Sequence, residues 1–292
     1  MKNLIGKWKF FTAVSLLFII VGLGFISTKG LNLGIDFTGG NLLEVQLARD
    51  VSSGEVRETI AQFGLEKSPI QTAGDNTFII RTRTLTEDEN NGVIASMEKE
   101  FGQVEVLRNE KVDAIIGREL TMNGILALVI ASALIVLYIT YRFEFNFAIA
   151  AIVALLHDVL LTLAFMGIFQ LEVDSAFVAA VLTIVGYSIN DTIVIFDRVR
   201  ENLYSRRYKD LNNLVNDSIW QTMMRSINTL GTTVITLLAL IILGGETTKV
   251  FATAMLVGIV SGTYSSFFVA SPLWIILREK RAPGKALRTQ KV

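Results

Sequence analysis

Six apolar runs constrain the chain more than any other feature: residues 10–27, 124–141, 147–168, 176–196, 226–243 and 250–277. About 20 apolar residues in a helix match the hydrocarbon thickness of a bilayer. Lipid offers no partner for a bare N–H or C=O, so such runs are expected to cross as helices. With 51% hydrophobic residues and three prolines among 292, the composition is that of a membrane protein. There is no cysteine, which excludes a disulfide framework and a thiolate metal site, and the single histidine, His157, argues against a His-rich metal site.

Formal net charge is zero, but Lys and Arg are unevenly placed. With the N-terminus inside, the inner segments hold Lys2, Lys7, Lys9, Arg142, five basic residues in 198–209, Arg225 and six from Arg278 onward. The short outer loops, 169–175 and 244–249, hold only Lys249. This bias places both termini in the cytoplasm, because long domains such as 28–123 translocate regardless of charge. Residues 10–27 exceed a signal h-region and no small-x-small site follows, so 1–27 reads as a cytoplasmic N-terminus plus a retained first helix.

The segment 28–123 reads as an extracytoplasmic domain. NLLEVQL (41–47) alternates as a strand, and Val56, Ile60 and Phe63 carry helical spacing. Residues 69–73 and 77–83 read as strands around a Gly74-Asp75-Asn76 turn. Thr86 and Glu89 form a capping box over Val93, Ile94 and Met97, and 103–111 alternates again. The order βαββαβ is that of a ferredoxin-like α+β fold. Nothing in it looks catalytic; docking, binding or a structural cap are its candidate roles. Ahead of it, GIDFTGG (34–40), opened by Gly34, reads as a local turn or a joint: Gly39-Gly40 supplies positive φ for a tight turn and Asp36 can bond its own backbone nearby.

Residues 124–277 form the rest of the bundle. Within it, 197–225 reads as a cytoplasmic loop carrying a short amphipathic helix with Leu211, Leu214, Val215, Ile219 and Met223 on one face. In the last run Gly258, Ser261, Gly262, Ser265 and Ser266 form a small-residue packing seam, and Pro272 should bend its inner end. The basic tail 278–292 reads as an orientation anchor.

Inside the fourth run stand Tyr187, Asn190 and Asp191. The eleven Phe, Val, Leu and Ile residues of 176–196 contribute roughly −3 to −6 kcal/mol to insertion, and one central Asp costs about +3. Thr183, Tyr187, Asn190, Asp191, Val194 and Arg198 share a face by helical spacing, expected to look into the bundle. Arg225, Asn228, Thr229, Thr232 and Thr236 recur similarly on the fifth run. Asp191 is six residues from Asp197, about 9 Å by helix rise, so Arg225 could reach it or could snorkel to the headgroups. On the third run His157 and Asp158 are adjacent and point about 100° apart, so Asp158 reads as a second polar contact in the seam.

An intramembrane aspartyl protease needs two carboxylates sharing a site, and helix four reads GYSIND where a GxGD pattern would be expected. No serine elbow or phosphate loop is visible, so no enzyme is expected. Ion chemistry remains: burial and a nearby arginine pull a carboxyl in opposite directions and can place it near neutrality.

These stretches carry a resemblance. GIDFTGG (34–40), LLHDV (155–159), VGYSINDTIVIFDRVREN (185–202) and RSINTLGTT (225–233) resemble the motifs of the SecF family, the smaller half of the bacterial SecD–SecF export pair in the resistance-nodulation-division (RND) superfamily. The match covers nearly the whole chain, and the run 185–202 is its most specific part. The resemblance implies half of an RND-type bundle, six helices with a ferredoxin-like domain between the first and second. It implies use of the proton motive force in Sec-dependent preprotein export, with protons as coupling ion and no cofactor. Asp191 would be the protonatable residue and Arg225 its partner, with Asp197 and Arg198 at the inner mouth and Tyr187, Asn190, Asp158, His157, Asn228 and Thr232 in the supporting seam. Implied partners are a SecD-like subunit, the SecYEG translocon and the preprotein, with YajC and YidC as further candidates, in the bacterial cytoplasmic membrane; no nucleic acid is implied. An RND-type exporter of lipids or small molecules and a non-coupling translocon scaffold are the competing readings.

Overall fold

The computed structural model describes residues 3–74, 76–112, 114–205 and 207–281. Asp75 of the expected turn and the tail beyond 281 lie outside the described residues. The chain divides into two compact units, Leu33–Ile125 and the remainder.

The smaller unit begins with a single helical turn α2 (Ile35–Thr38), then β1 (Gly40–Leu47), α3 (Ser53–Ala61), β2 (Ile70–Thr72), β3 (Thr77–Thr82), α4 (Glu87–Phe101) and β4 (Val104–Val112). The sheet order is β2-β3-β1-β4 with every pair antiparallel, which is the ferredoxin-like arrangement. Alternation decides the faces: Leu43, Val45 and Leu47 join Phe78 and Ile80 against Val56 and Ile60 of α3 and Val93 and Met97 of α4. Leu42 and Ile79 point the other way and pack on Ile35. Both helices start with capping boxes, Ser52 with Glu55 and Thr86 with Glu89. The Arg83 guanidinium lies 2.7 Å from Glu89. It donates to that carboxylate and, with the Thr86 backbone N–H, holds the carboxyl down at about 2. The stretch 34–40 is one helical turn closed by glycines rather than a simple turn: Gly39 and Gly40 have φ of 70° and 119°. A Cβ on Gly40 would lie 2.2 Å from the Thr82 carbonyl oxygen, so the motif tolerates no side chain there.

The larger unit is a helix bundle. A 3-10 turn (Ile5–Lys7) leads into α1 (Trp8–Lys29); α5 (Ala114–Arg142), α6 (Phe145–Phe169), α7 (Ser175–Ser205), α8 (Leu211–Leu243) and α9 (Glu246–Ser265) follow. A π-turn (Ser266–Ala270) joins α9 to α10 (Ser271–Arg281). Six described helices are long and apolar enough to cross a membrane: Ile5–Lys29, Thr121–Arg142, Phe145–Phe169, Ser175–Ser205, Leu211–Leu243 and Thr248–Arg281. The chain is thus a polytopic α-helical membrane protein with a small sheet unit.

Small residues set the helix spacing. Ideal Cβ atoms on Gly22 and Gly258 would fall 2.3 Å from Ala164 and 2.2 Å from Ile184, bringing α1 onto α6 and α9 onto α7. The end of α1 is tied to the end of α6 by Asn32 Nδ2 donating to the Gln170 carbonyl at 2.8 Å and Gln170 Nε2 donating to that of Gly30 at 3.2 Å.

Two expectations are corrected. Of the loop and separate amphipathic helix expected over 197–225, residues 197–205 are the end turns of α7 and 211–225 the first turns of α8. Leu211, Leu214, Val215 and Ile219 are buried against the bundle. No Pro or Gly interrupts 211–230, so nothing stops the amphipathic turns from continuing as the spanning helix. In the last span, the irregularity precedes Pro272. Ser271 N–H bonds back to the Ser266 carbonyl, and Pro272 has no N–H to offer Phe268. The freed Phe268 carbonyl accepts from Thr12 Oγ1 at 2.8 Å.

Candidate functional site

Asp158, fully buried on α6, is the polar centre of the bundle. Its Oδ1 accepts from Ser261 Oγ at 2.7 Å and faces His157 Nδ1 at 3.1 Å. Its Oδ2 accepts from Ser188 Oγ and Ser265 Oγ, both at 2.7 Å. A carboxylate has about four lone-pair sites; here three accept serine hydroxyls and the His157 ring lies against the fourth. His157 Nε2 meets Ser15 Oγ on α1 at 2.8 Å, so this one cluster ties α1, α6, α7 and α9 together. The sequence reading of Asp158 as a seam contact agrees with this geometry. A lone serine in an apolar helix has no periodic signal, so spacing does not reveal Ser15 or Ser188 as donors, and Ser261 and Ser265 read in sequence as small packing residues.

Asp191, one turn beyond Ser188 on α7, is 8% exposed and accepts from Thr263 Oγ1 at 2.8 Å. Next to it, Thr192 Oγ1 and Ser266 Oγ lie 2.8 Å apart. Among the described residues no cationic side chain pairs with Asp191. Arg225 is exposed on α8 and is not brought to it in this conformation. Tyr187 is half-buried, its hydroxyl 3.3 Å from Thr233 Oγ1. Asn190, Asn228 and Thr232 are exposed in the single chain, with the Thr232 hydroxyl donating to the carbonyls of Asn228 and Thr229 on its own helix.

The face of α7 is therefore corrected. The bundle buries Ala180, Ile184, Ser188, Ile195 and Val199, while Thr183 and Asn190 face away from it. Asp191 sits at the border between the two faces. An apolar helix surrounded by protein and lipid has little hydrophobic asymmetry, so spacing alone did not say which stripe turns inward.

At the basic ends of α7 and α8, Asp197 pairs with Arg200 at 2.9 Å, and Arg198 pairs with Glu201 at 2.5 Å while donating to Gln221 at 2.6 Å. Burial, with the Asp217 carboxylate nearby, pushes the Tyr208 phenol up. Among the described residues no three His, Cys, Asp or Glu converge as metal ligands.

Comparison with known proteins places this bundle. Residues 93–280 match the model of the protein export membrane protein SecD/SecF C-terminal family, and residues 24–51 match the SecD/SecF GG motif. The protein translocase subunit SecF of Sebaldella termitidis is 42% identical over 275 residues, 91% of this chain and 89% of the relative. That of Acidaminococcus fermentans is also 42% identical, over 95% of this chain and 98% of the relative. The crystal structure of SecDF, a translocon-associated membrane protein from Thermus thermophilus, superposes with a TM-score of 0.88 at 35% identity, covering 96% of this chain. This chain spans 39% of that structure's length. A super-membrane-facing form of SecDF superposes with a TM-score of 0.72. With residues 24–51 and 93–280 matched by the family models and 42% identity to SecF subunits over more than nine-tenths of its length, the chain belongs to the SecD/SecF family of protein-export membrane proteins, in its SecF branch.

Proposed function

We propose that the chain works beside a SecD-like half and uses the proton motive force to promote late steps of Sec-dependent preprotein export. The observation that supports this most is the contrast between two buried carboxylates. Asp158 takes three serine hydroxyls and faces the His157 ring, whereas among the described residues Asp191 has one hydroxyl donor and no cationic partner and lies at the border of a face this chain leaves uncovered. An intramembrane carboxylate is expensive and is retained where it has a task. A group with open bonding positions beside an unfilled face suits a proton that must enter and leave.

In this reading Asp191 binds the proton, and Arg225 becomes its counter-charge in a second conformation. Asn190, Tyr187, Asn228 and Thr232 line the face toward the SecD-like half. Asp197 and Arg198 stand at the cytoplasmic mouth, and the Leu33–Ile125 unit is extracytoplasmic, as the Lys and Arg distribution favours. SecYEG and the preprotein are the partners on which the work is done, with YajC and YidC as accessory candidates. One charge moved across the membrane is worth about 2.3 kcal/mol per 100 mV, enough to bias a two-state equilibrium strongly.

Preprotein export into membrane vesicles, followed with and without an uncoupler, tests this. Asp191→Asn should remove the gradient-dependent part while the subunit still assembles. Unchanged, uncoupler-sensitive export in Asp191→Asn would leave the chain as a scaffold. Exchanging Asp191 and Arg225 should restore part of what either single change loses.

A further inference from the structure

We infer that Thr263–Ser266, the last turn of α9 and the first residue of the π-turn, transmits a change at Asp191 to α1, and that Tyr264 is the positioning residue of this link. The inference rests on Asp191 being the proton site. Successive helical side chains point about 100° apart, so four in a row reach all sides of a helix. Here each of the four has a polar partner on a neighbouring helix. Thr263 donates to Asp191 on α7 at 2.8 Å, and Tyr264 donates its hydroxyl to the Phe11 carbonyl on α1. Ser265 donates to Asp158 on α6 at 2.7 Å, and Ser266 meets Thr192 on α7 at 2.8 Å.

The element is placed where a helix can change. Ser266 opens the π-turn, a local irregularity in the i→i−4 ladder. Two residues on, the Phe268 carbonyl is bonded to Thr12 of α1. The Phe11 ring stacks on Phe268 with centroids 4.2 Å apart. Thus α1 is tied to this segment through two adjacent residues, Phe11 and Thr12, on either side of the start of the π-turn. Helix α1 ends at Lys29 and runs in sequence, through 30–32, into the Leu33–Ile125 unit.

The two carboxylates bonded to the segment differ in what they can do. Asp158 takes three serine hydroxyls and serves as the fixed point. Among the described residues Asp191 has a single side-chain donor, Thr263, and a charge-assisted bond to a carboxylate is about twice as strong as a neutral one. Protonating Asp191 weakens the Thr263 bond, loosening the turn next to Tyr264 while Ser265 stays anchored. Away from the span ends, the ionisable side chains of these helices are His157 and Asp158 on α6, Tyr187 on α7, Arg225 on α8 and Tyr264 on α9. None of them forms an ion pair with Asp191.

The chain has no cysteine, so a spin-label pair at Ser27→Cys and Ile242→Cys, both exposed, reports the position of α1 against α8. The full chain, assembled with its SecD-like half in liposomes, is stepped in pH. Protonation of Asp191 is read as the infrared carboxyl band that Asp191→Asn lacks. Wild type should show both the band and a distance change, and Thr263→Ser should keep both. Tyr264→Phe should keep the band and lose the distance change. A distance change that persists in Tyr264→Phe, or is missing from wild type while the band is present, overturns the link. Absence of the band in wild type instead overturns the reading of Asp191. If Tyr264→Phe fails to accumulate, Thr12→Val decides by the same two readouts.

Discussion

Ser188 donates its hydroxyl to Asp158 at 2.7 Å, one helical turn before Asp191 on the same helix. That bond ties α7 to α6 without occupying Asp191. The two carboxylates are thereby separated into an anchor and a group whose bonding can change, and the predictions follow from that separation.

Asp158 should matter mainly for stability. Interhelical hydrogen bonds in membranes average about 0.6 kcal/mol, so losing its three interhelical bonds in Asp158→Ala should cost about 2 kcal/mol. Ser188→Ala should cost only about 0.6 kcal/mol. Denaturant-induced unfolding in mixed micelles measures both. Equal losses in the two variants would mean that Asp158 is not the shared acceptor.

Gly22 and Gly24 give a matched pair on α1. A Cβ at Gly22 would sit 2.3 Å from Ala164 Cβ and 2.6 Å from its Cα, whereas one at Gly24 meets nothing within 4 Å. Gly22→Ala should cost about 1–3 kcal/mol through overpacking. Gly24→Ala should stay within about 0.5 kcal/mol of wild type, as substitutions away from packed features do. Thermal unfolding of the purified chain distinguishes them.

The sheet unit should respond to acid through Glu89. Its folded value is held at about 2 by Arg83 and the Thr86 backbone, below the ordinary 4.5. A depressed carboxyl stabilises above its unfolded value, so its contribution is complete above 4.5 and fades as pH falls toward about 2. Exchange of the first amides of α4, corrected for intrinsic rate, should therefore accelerate across that window. Glu89→Gln should flatten the dependence. An acid response unchanged in Glu89→Gln would remove this residue as its source.

Much of this was legible beforehand because the signals were local. The Thr86–Glu89 capping box, the βαββαβ order and the six spans each rest on patterns within one element. What escaped depended on facing. Nothing in the apolar run 176–196 says that Ser188 turns inward while Asn190 turns out. Thr263 and Ser15 gained meaning only once α9 and α1 were placed beside Asp191 and His157. Arg225 shows the converse: its spacing on α8 allowed a contact that this conformation does not make.

The central claim is that Asp191 takes up and releases the coupling proton, and the infrared carboxyl signal of the assembled complex across a pH step tests it most directly. The account predicts a carboxyl band that changes on the pH step, vanishes in Asp191→Asn and survives in Ser188→Ala. A spectrum identical in wild type and Asp191→Asn on both sides of the step would contradict it.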